Sequence, residues 1–224
     1  MILSKSKKFL FIKGHKVACT SVEVLLSNFC DHTDIITPLT PIDEYQRVKN
    51  NNPLAQNYGA NQNELLRYIS DLKQVDLHTL HKLKPPTGQF YNHISLKELV
   101  ELYGEIPSNF LIFGIDRNPY SKIISYANMI NKFKKYKKEG QTMVSSQFML
   151  KRILKKIIAD GSVKHVRNID LYKNKHGELR TKVLKYENLK EDLGNTLRSH
   201  GILSPIKLEH LKKGLLSKSM DIKK

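Results

Sequence analysis

Lys16 lies in a short loop between an apolar run and the predicted start of a helix. The run covers residues 9–12, and Thr20 and Glu23 have the Thr-x-x-Glu spacing of a capping box. The free N–H groups of a first helical turn and the helix dipole attract an anion, and Lys16 adds a positive charge at the same place. This order of strand, loop and helix predicts a phosphate-binding loop.

The loop differs from that of the ATPases, which reads Gly-x-x-x-x-Gly-Lys-Ser/Thr. Here Lys16 stands four positions before Thr20, and Gly14 is the one glycine available. An ordinary strand, turn and helix with a surface lysine explains these residues equally well. The first segment alone therefore leaves both interpretations open.

A second segment also combines an apolar run with a helix start. Residues 110–115 are typical of a buried strand, and Asn118 and Pro119 are typical of the N-cap and first position of a helix. Arg117 and Ser125 are eight positions apart, so they share one side of this helix start. Arginine suits forked binding of a phosphate, which predicts a second anion site.

His93 is the predicted proton acceptor. It precedes Ser95 and Glu98, which form another capping-box pair. A helix N-terminus disfavours an added positive charge, so a histidine there tends to stay neutral and able to take a proton. The alternative is that His93 only caps or packs. His15, in the first loop, is the competing base and is expected instead to line the pocket.

These segments, in this order, resemble the sulfotransferases that use 3′-phosphoadenosine 5′-phosphosulfate (PAPS). That family's first loop reads roughly Lys-Thr-Ala-Gly-Thr-Ser, from which this chain departs at Cys19, and its second motif, Arg-Asn/Asp-Pro-Tyr-x-x-x-x-Ser, matches residues 117–125. The resemblance implies that Arg117 and Ser125 bind the 3′-phosphate. It implies that the 5′-phosphosulfate is bound by Lys16, Ala18, Cys19, Thr20 and Ser21.

The resemblance also implies a reaction, the transfer of the sulfuryl group of PAPS to a hydroxyl, most often of a carbohydrate. Carbohydrate sulfotransferases carry a histidine in a comparable His-x-Ser/Thr segment, so His93 is the implied base and Lys16 the implied catalytic cation. Lys213 resembles part of a basic element that closes over the 3′-phosphate. Protein cations suffice for a sulfuryl group, which carries less charge than a phosphoryl group, so no metal is expected.

Two other functions remain open at this point. A nucleotide kinase-like enzyme with a phosphate-binding loop would share the strand, loop and helix, but it calls for Gly-Lys-Ser/Thr and a carboxylate for Mg²⁺. A basic domain that binds polyanions or nucleic acid without catalysis would explain the charge. Nucleic acid is an unlikely partner, because the chain lacks the interleaved aromatic residues of a stacking surface.

The composition fits a single domain over residues 1–224 with a net charge of +17. The excess lysine lies in 132–138, 151–156 and 212–224, where it is either solvated or binds an acidic acceptor such as a polysaccharide or glycolipid. No run approaches the ~20 apolar residues of a membrane span, so a cytoplasmic location is expected. Cys19 and Cys30 are expected to be reduced, with Cys19 somewhat acidic at a helix N-terminus.

The alternation of strands and helices predicts an α/β fold with a central parallel sheet flanked by helices. The resemblance implies the architecture of the P-loop NTPases. An irregular, mobile insert is expected over 38–90, with 63–83 partly helical, and Glu187 is expected to be structural. The predicted strands are 8–13, 34–37 and 110–115, the helices 20–30, 95–103, 119–132 and 147–159, and a strand pair 166–172 with 179–186.

Overall fold

The computed structural model describes residues 1–75, 79–136 and 146–203, so the predicted ligand Lys213 lies outside the described residues. These residues form an α/β fold around a five-stranded sheet with the order β3-β1-β2-β4-β5. The strands are β1 (Ile2–Ser4), β2 (Phe9–Phe11), β3 (Ile35–Ile36), β4 (Leu111–Asp116) and β5 (Lys182–Lys185).

The sheet is mixed, so the prediction of a parallel sheet is wrong for one half of it. Strands β2, β4 and β5 are parallel, whereas β1 runs antiparallel to β2 and to β3. β1 was not predicted. It is joined to β2 by a four-residue turn, which permits only antiparallel pairing, and the Asp34 carboxylate holds the turn by accepting bonds from the N–H groups of Lys5 and Ser6.

Seven α-helices are present among the described residues. They are α1 (Cys19–Ser27), α2 (Pro41–Lys49), α3 (Gln62–Gln74), α4 (Leu96–Tyr103), α5 (Pro119–Tyr136), α6 (Ser146–Ala159) and α7 (Leu189–Ser199). The predictions of α1, α4, α5 and α6 are confirmed. The partly helical stretch expected over 63–83 is confirmed by α3. The expected irregular structure before it is wrong for α2, which begins where the Thr40 hydroxyl accepts a bond from the Asp43 N–H.

The two faces of the sheet are covered by different helices. Along β2 the side chains of Phe9 and Phe11 pack with α1 and α7, whereas Leu10 and Ile12 pack with α3 and α4. This alternation follows from the two-residue period of a strand. β2 is consequently buried on both sides, and the loop that follows it emerges between the helical layers.

The predicted strand pair 166–172 with 179–186 is wrong. Its first half forms short 3₁₀ helices, and a single bridge joins Lys173 and Leu179. β5 instead pairs with β4. The reason lies in Tyr172, which is fully buried and donates its hydroxyl hydrogen to the carbonyl of Ile115 at 2.6 Å. Tyr172 therefore packs against the carboxyl end of β4 and does not form part of a strand.

Candidate functional site

The two predicted anion-binding segments lie at the same edge of the sheet. The first loop (residues 13–18) follows β2 and leads into α1, and the second loop (residues 116–118) follows β4 and leads into α5. β2 and β4 are neighbouring parallel strands, with Phe11 opposite Phe113. Their carboxyl ends therefore deliver both loops, and with them Lys16 and Arg117, to one side of the molecule.

Asn168 connects the two loops. Its Oδ1 accepts a hydrogen bond from the N–H of His15 at 2.7 Å, and its Nδ2 donates to the His15 carbonyl at 3.1 Å and to Asp116 Oδ1 at 3.1 Å. Gly14 makes the close approach possible, because a Cβ at that position would lie 2.4 Å from the Tyr172 hydroxyl and 3.0 Å from Asn168 Nδ2.

The first loop has an unusual backbone. Lys16 and Ala18 adopt φ values of 60° and 58°, and nearby His93 adopts 64°, all in the left-handed region that favours glycine. Such strain persists only where the surroundings enforce it, and it concentrates at functional sites. Ala18 is the N-cap of α1 and no side chain caps the helix, so the predicted Thr20–Glu23 capping box is wrong.

Glu23 has a different partner, which explains that error. Its carboxylate is fully buried and forms ion pairs at 2.5 Å with the Lys13 ammonium and with the Met1 amino group. Burial alone raises the pKa of Glu23, but the positive charges of Lys13 and Met1 outweigh it and lower the pKa to about 2. Glu23 thus anchors Lys13, the first residue of the first loop, through a buried ion pair.

His93 faces the same loop. Its Nδ1 lies 3.0 Å from the carbonyl oxygen of Lys13, and its ring stacks on that of His15 with centroids 3.9 Å apart. A carbonyl only accepts, so Nδ1 carries the hydrogen and Nε2 keeps the free lone pair. Burial, followed by the proximity of His15 and Lys13, lowers the pKa of His93 to about 3. His93 is therefore held in its neutral form.

The surroundings of the histidine pair are cationic. Burial is the main cause of the lowered pKa of His15, and the positive charges of Lys13, Lys122 and Lys16 and the neighbouring His165 lower it further. Lys122 is buried and pairs with Asp116 at 2.6 Å. This concentration of positive charge at a strained loop and a helix start is suited to an anionic ligand.

The second loop presents Arg117. Its guanidinium lies 4.3 Å above the ring of Tyr186, and its buried Nε has no hydrogen-bond partner among the described residues. The contact with Tyr186 positions the guanidinium at the start of α5, and arginine is the side chain suited to forked binding of a phosphate. Asn118 caps α5 by accepting from the N–H groups of Tyr120 and Ser121, which confirms the predicted N-cap.

Glu187, in the 3₁₀ helix Tyr186–Asn188 that follows β5, holds this loop in place. It accepts a bond from the Asn118 N–H at 2.9 Å, which confirms the expected structural role. The predicted Ser95–Glu98 capping box is also confirmed, at the start of α4 and two residues after His93. Ser125 is half-buried on α5.

The remaining predicted residues of the first loop differ in accessibility. Ala18 is exposed and Lys16 half-buried, whereas the Thr20 side chain is largely buried. The Ser21 N–H donates to the Ala18 carbonyl at 3.1 Å, so it is already used in this conformation. Burial raises the pKa of the Cys19 thiol to about 12, so the expectation of an acidic Cys19 is wrong.

Sequence reasoning missed four residues of this site: Lys13, Asp116, Lys122 and Asn168. Asp116 Oδ1 accepts from Lys122, from Asn168 and from the Arg117 N–H. Lys13 ends one predicted strand and Asp116 directly follows another, and a charged residue at that position was the available signal. Asn168 lies in the segment 166–172 that was predicted as a strand, and nothing in the sequence marks it as part of this site.

A separate cleft of about 360 Å³ lies between α4 and the turn at residues 174–178. Its floor contains Leu96, Val100 and Ile112, and none of the predicted site residues line it. Within the described ranges no group of histidine, cysteine and acidic residues is arranged to hold a metal ion.

No helix in the described parts of the chain is both long and apolar enough to cross a membrane. The comparisons with known proteins gave no match, whether to a family model, to a curated protein or to a solved structure.

Proposed function

We propose that this chain is a sulfotransferase that moves the sulfuryl group of PAPS to a hydroxyl of a carbohydrate acceptor, on an architecture like that of the P-loop NTPases. The observation that carries the proposal is the junction at Asn168. It ties the loop of Lys16 to the loop of Arg117, each at the start of a helix. Two anion-binding loops at one sheet edge suit a ligand with phosphate groups at both ends.

The residues present fit such a donor. The Arg117 guanidinium, at the start of α5, would bind a 3′-phosphate together with Ser125 on that helix. Lys16 and the N–H groups of Cys19 and Thr20, at the N-terminus of α1, would hold the 5′-phosphosulfate. When bound, PAPS supplies an activated sulfuryl group.

His93 would act as the general base. Its Nε2 takes the proton of the acceptor hydroxyl as the bond from the acceptor oxygen to sulfur forms and the bond from sulfur to the phosphate oxygen breaks. Lys16 neutralises the charge that develops on that phosphate. His93 gains basicity when negative charge occupies the first loop, because an opposite charge nearby raises the pKa of a histidine.

A non-catalytic polyanion-binding domain is the second candidate, and one observation favours it. The outer face of α6 exposes four cations and the side chain of Phe148, and its inner face, including Ile153 and Ile157, is buried. The exposed cations are Lys151, Arg152, Lys155 and Lys156. Under the main proposal the same face would attract an acidic acceptor.

Calorimetry with adenosine 3′,5′-bisphosphate and with ADP separates the candidates. We expect tighter binding of the 3′-phosphorylated ligand, and Arg117→Ala should reduce that preference by about 10- to 100-fold, because charge-assisted bonds to the 3′-phosphate are lost. Arg67→Ala, an exposed arginine on α3, is the matched control and should change nothing.

Equal binding of the two nucleotides would favour a kinase-like enzyme, and binding of neither would favour the polyanion-binding domain. Either result rejects the main proposal. Transfer of radioactive sulfate from labelled PAPS to a panel of uronic-acid polysaccharides and neutral glycans then identifies the acceptor class.

A further inference from the structure

Asn168 is fully buried and stands at the N-cap of the 3₁₀ helix Ile169–Tyr172. An asparagine at this position ordinarily caps its own helix. Here its side chain makes no such bond. Its three hydrogen bonds go instead to residues 52 and 153 positions away in the chain. A local structural role does not explain this choice of partners.

The hydrogen bonds of Asn168 use both donors of its side-chain amide. Both Nδ2 hydrogens are donated, to the His15 carbonyl and to Asp116, and Oδ1 accepts from the His15 N–H. One acceptor and two donors in one plane are properties of a carboxamide alone among side chains of this size. Aspartate has the same shape but, when ionised, only accepts.

We propose that Asn168 is a positioning residue that locks the first loop to the second, so that both anion-binding loops and the His15–His93 pair are held as one unit. Its side chain forms hydrogen bonds with both the N–H and the carbonyl of His15, whose ring stacks on His93. It also bonds Asp116, which directly precedes Arg117.

The inference rests on the proposed function in one respect, namely that a single ligand spans both loops. Holding two binding groups at a fixed separation before the ligand arrives lowers the cost of ordering them. Asn168 would therefore strengthen the binding of a ligand with two phosphates more than that of a ligand held by one loop.

The test compares two variants of the same segment. Asn168→Asp keeps the shape but loses both donors and sets a carboxylate against Asp116 and the His15 carbonyl. Tyr172→Phe is the matched control, since it removes the bond from the Tyr172 hydroxyl to the Ile115 carbonyl and leaves the bonds of Asn168 intact. The readouts are amide hydrogen exchange over residues 13–18 and the Kd for adenosine 3′,5′-bisphosphate.

We expect Asn168→Asp to speed exchange at the His15 N–H and to raise the Kd about tenfold or more, with a smaller change for inorganic phosphate. Tyr172→Phe should lower the Tm without either change. If Asn168→Asp matches Tyr172→Phe in exchange and in affinity, Asn168 is only structural and the inference is wrong.

The exchange measurement also separates this inference from the proposed function. If the wild-type protein does not bind adenosine 3′,5′-bisphosphate, the proposed function fails, and faster exchange at His15 in Asn168→Asp still decides whether Asn168 holds the loop. Should Asn168→Asp not fold, Asn168→Ser, whose hydroxyl can donate one hydrogen, is read by the same two measurements.

Discussion

The first and second loops each lead from a strand of the sheet into a helix, but different contacts hold them in place. Residues outside the first loop hold it in place. Asn168 bonds its backbone, Glu23 forms an ion pair with the Lys13 ammonium, and His93 bonds the Lys13 carbonyl. It reaches left-handed φ values at Lys16 and Ala18 without a glycine at either position.

The second loop also has distant partners, Glu187 on the Asn118 N–H and Asn168 on Asp116, but neighbouring residues form its helix start. Asn118 caps the helix that follows it, Pro119 begins that helix, and the Arg117 N–H bonds the neighbouring Asp116 side chain. A loop that leads from a strand into a helix can therefore be built either with local capping residues or with distant contacts that impose a strained backbone. We expect mutations to be costly and non-local at the first loop, and smaller and local at the second.

The largest effect is expected at His93. His93→Asn keeps a donor for the Lys13 carbonyl and tolerates positive φ, so the fold should survive while turnover falls by about 10²- to 10⁴-fold, the range for loss of a general base. Sulfate transfer from PAPS measures the turnover, and calorimetry should give a nearly unchanged Kd for adenosine 3′,5′-bisphosphate.

His176→Asn is the control for this experiment, because His176 is exposed in the turn at residues 174–178. Full turnover in His93→Asn would reject His93 as the base but would not contradict the proposed binding of anions by the two loops.

Glu23→Gln tests how far the first loop depends on buried charge. Removing the carboxylate leaves the Lys13 ammonium buried without its partner, so the free energy of unfolding should fall by about 3–5 kcal/mol. Denaturant unfolding measures the loss. Glu101→Gln removes an exposed carboxylate 3.9 Å from Lys97 and should cost less than about 0.5 kcal/mol. Similar losses in both variants would show that the buried ion pair is not what holds the loop.

The histidine pair predicts a pH dependence of stability. The pKa of His93 is about 3 in the folded protein and near 6.5 when unfolded, so the unfolded state binds more protons as the pH falls below about 6.5. Stability should drop by about 1–2 kcal/mol between pH 7 and pH 5, and the drop should be smaller in His93→Asn. Glu23 contributes only at lower pH, below its unfolded pKa of about 4.5. An identical pH profile for the variant would contradict the buried neutral state of His93.

The smallest effect is expected at the second loop. Asn118→Ala removes the cap of α5 and should lower the free energy of unfolding by about 1 kcal/mol, whereas Asn118→Asp keeps the acceptor and most of the stability. Thermal unfolding of both variants measures the difference. Amide exchange at His15 should stay unchanged in both. Faster exchange there would mean that the second loop also supports the first, and the contrast between them would be weaker than described.

Features that depend on neighbouring residues could be predicted from the amino-acid sequence. Short-range patterns predicted the cap at Asn118 and the capping box of Ser95 with Glu98. They also predicted the helices α1, α4, α5 and α6 and the buried strand β4. Arg117 was also identifiable, because its position next to the cap places it at the helix start.

The contacts that hold the first loop depend on the folded chain and could not be predicted from the sequence. Thr20 and Glu23 have the spacing of a capping box, but a buried cation at Lys13 attracts the carboxylate more strongly than a helix N-terminus does. Asn168 lies 153 positions from His15 along the chain, and no local pattern encodes so distant a hydrogen bond. The antiparallel β1 and the 3₁₀ helix of Tyr172 are likewise set by pairing and burial across the sheet, which only the folded chain brings together.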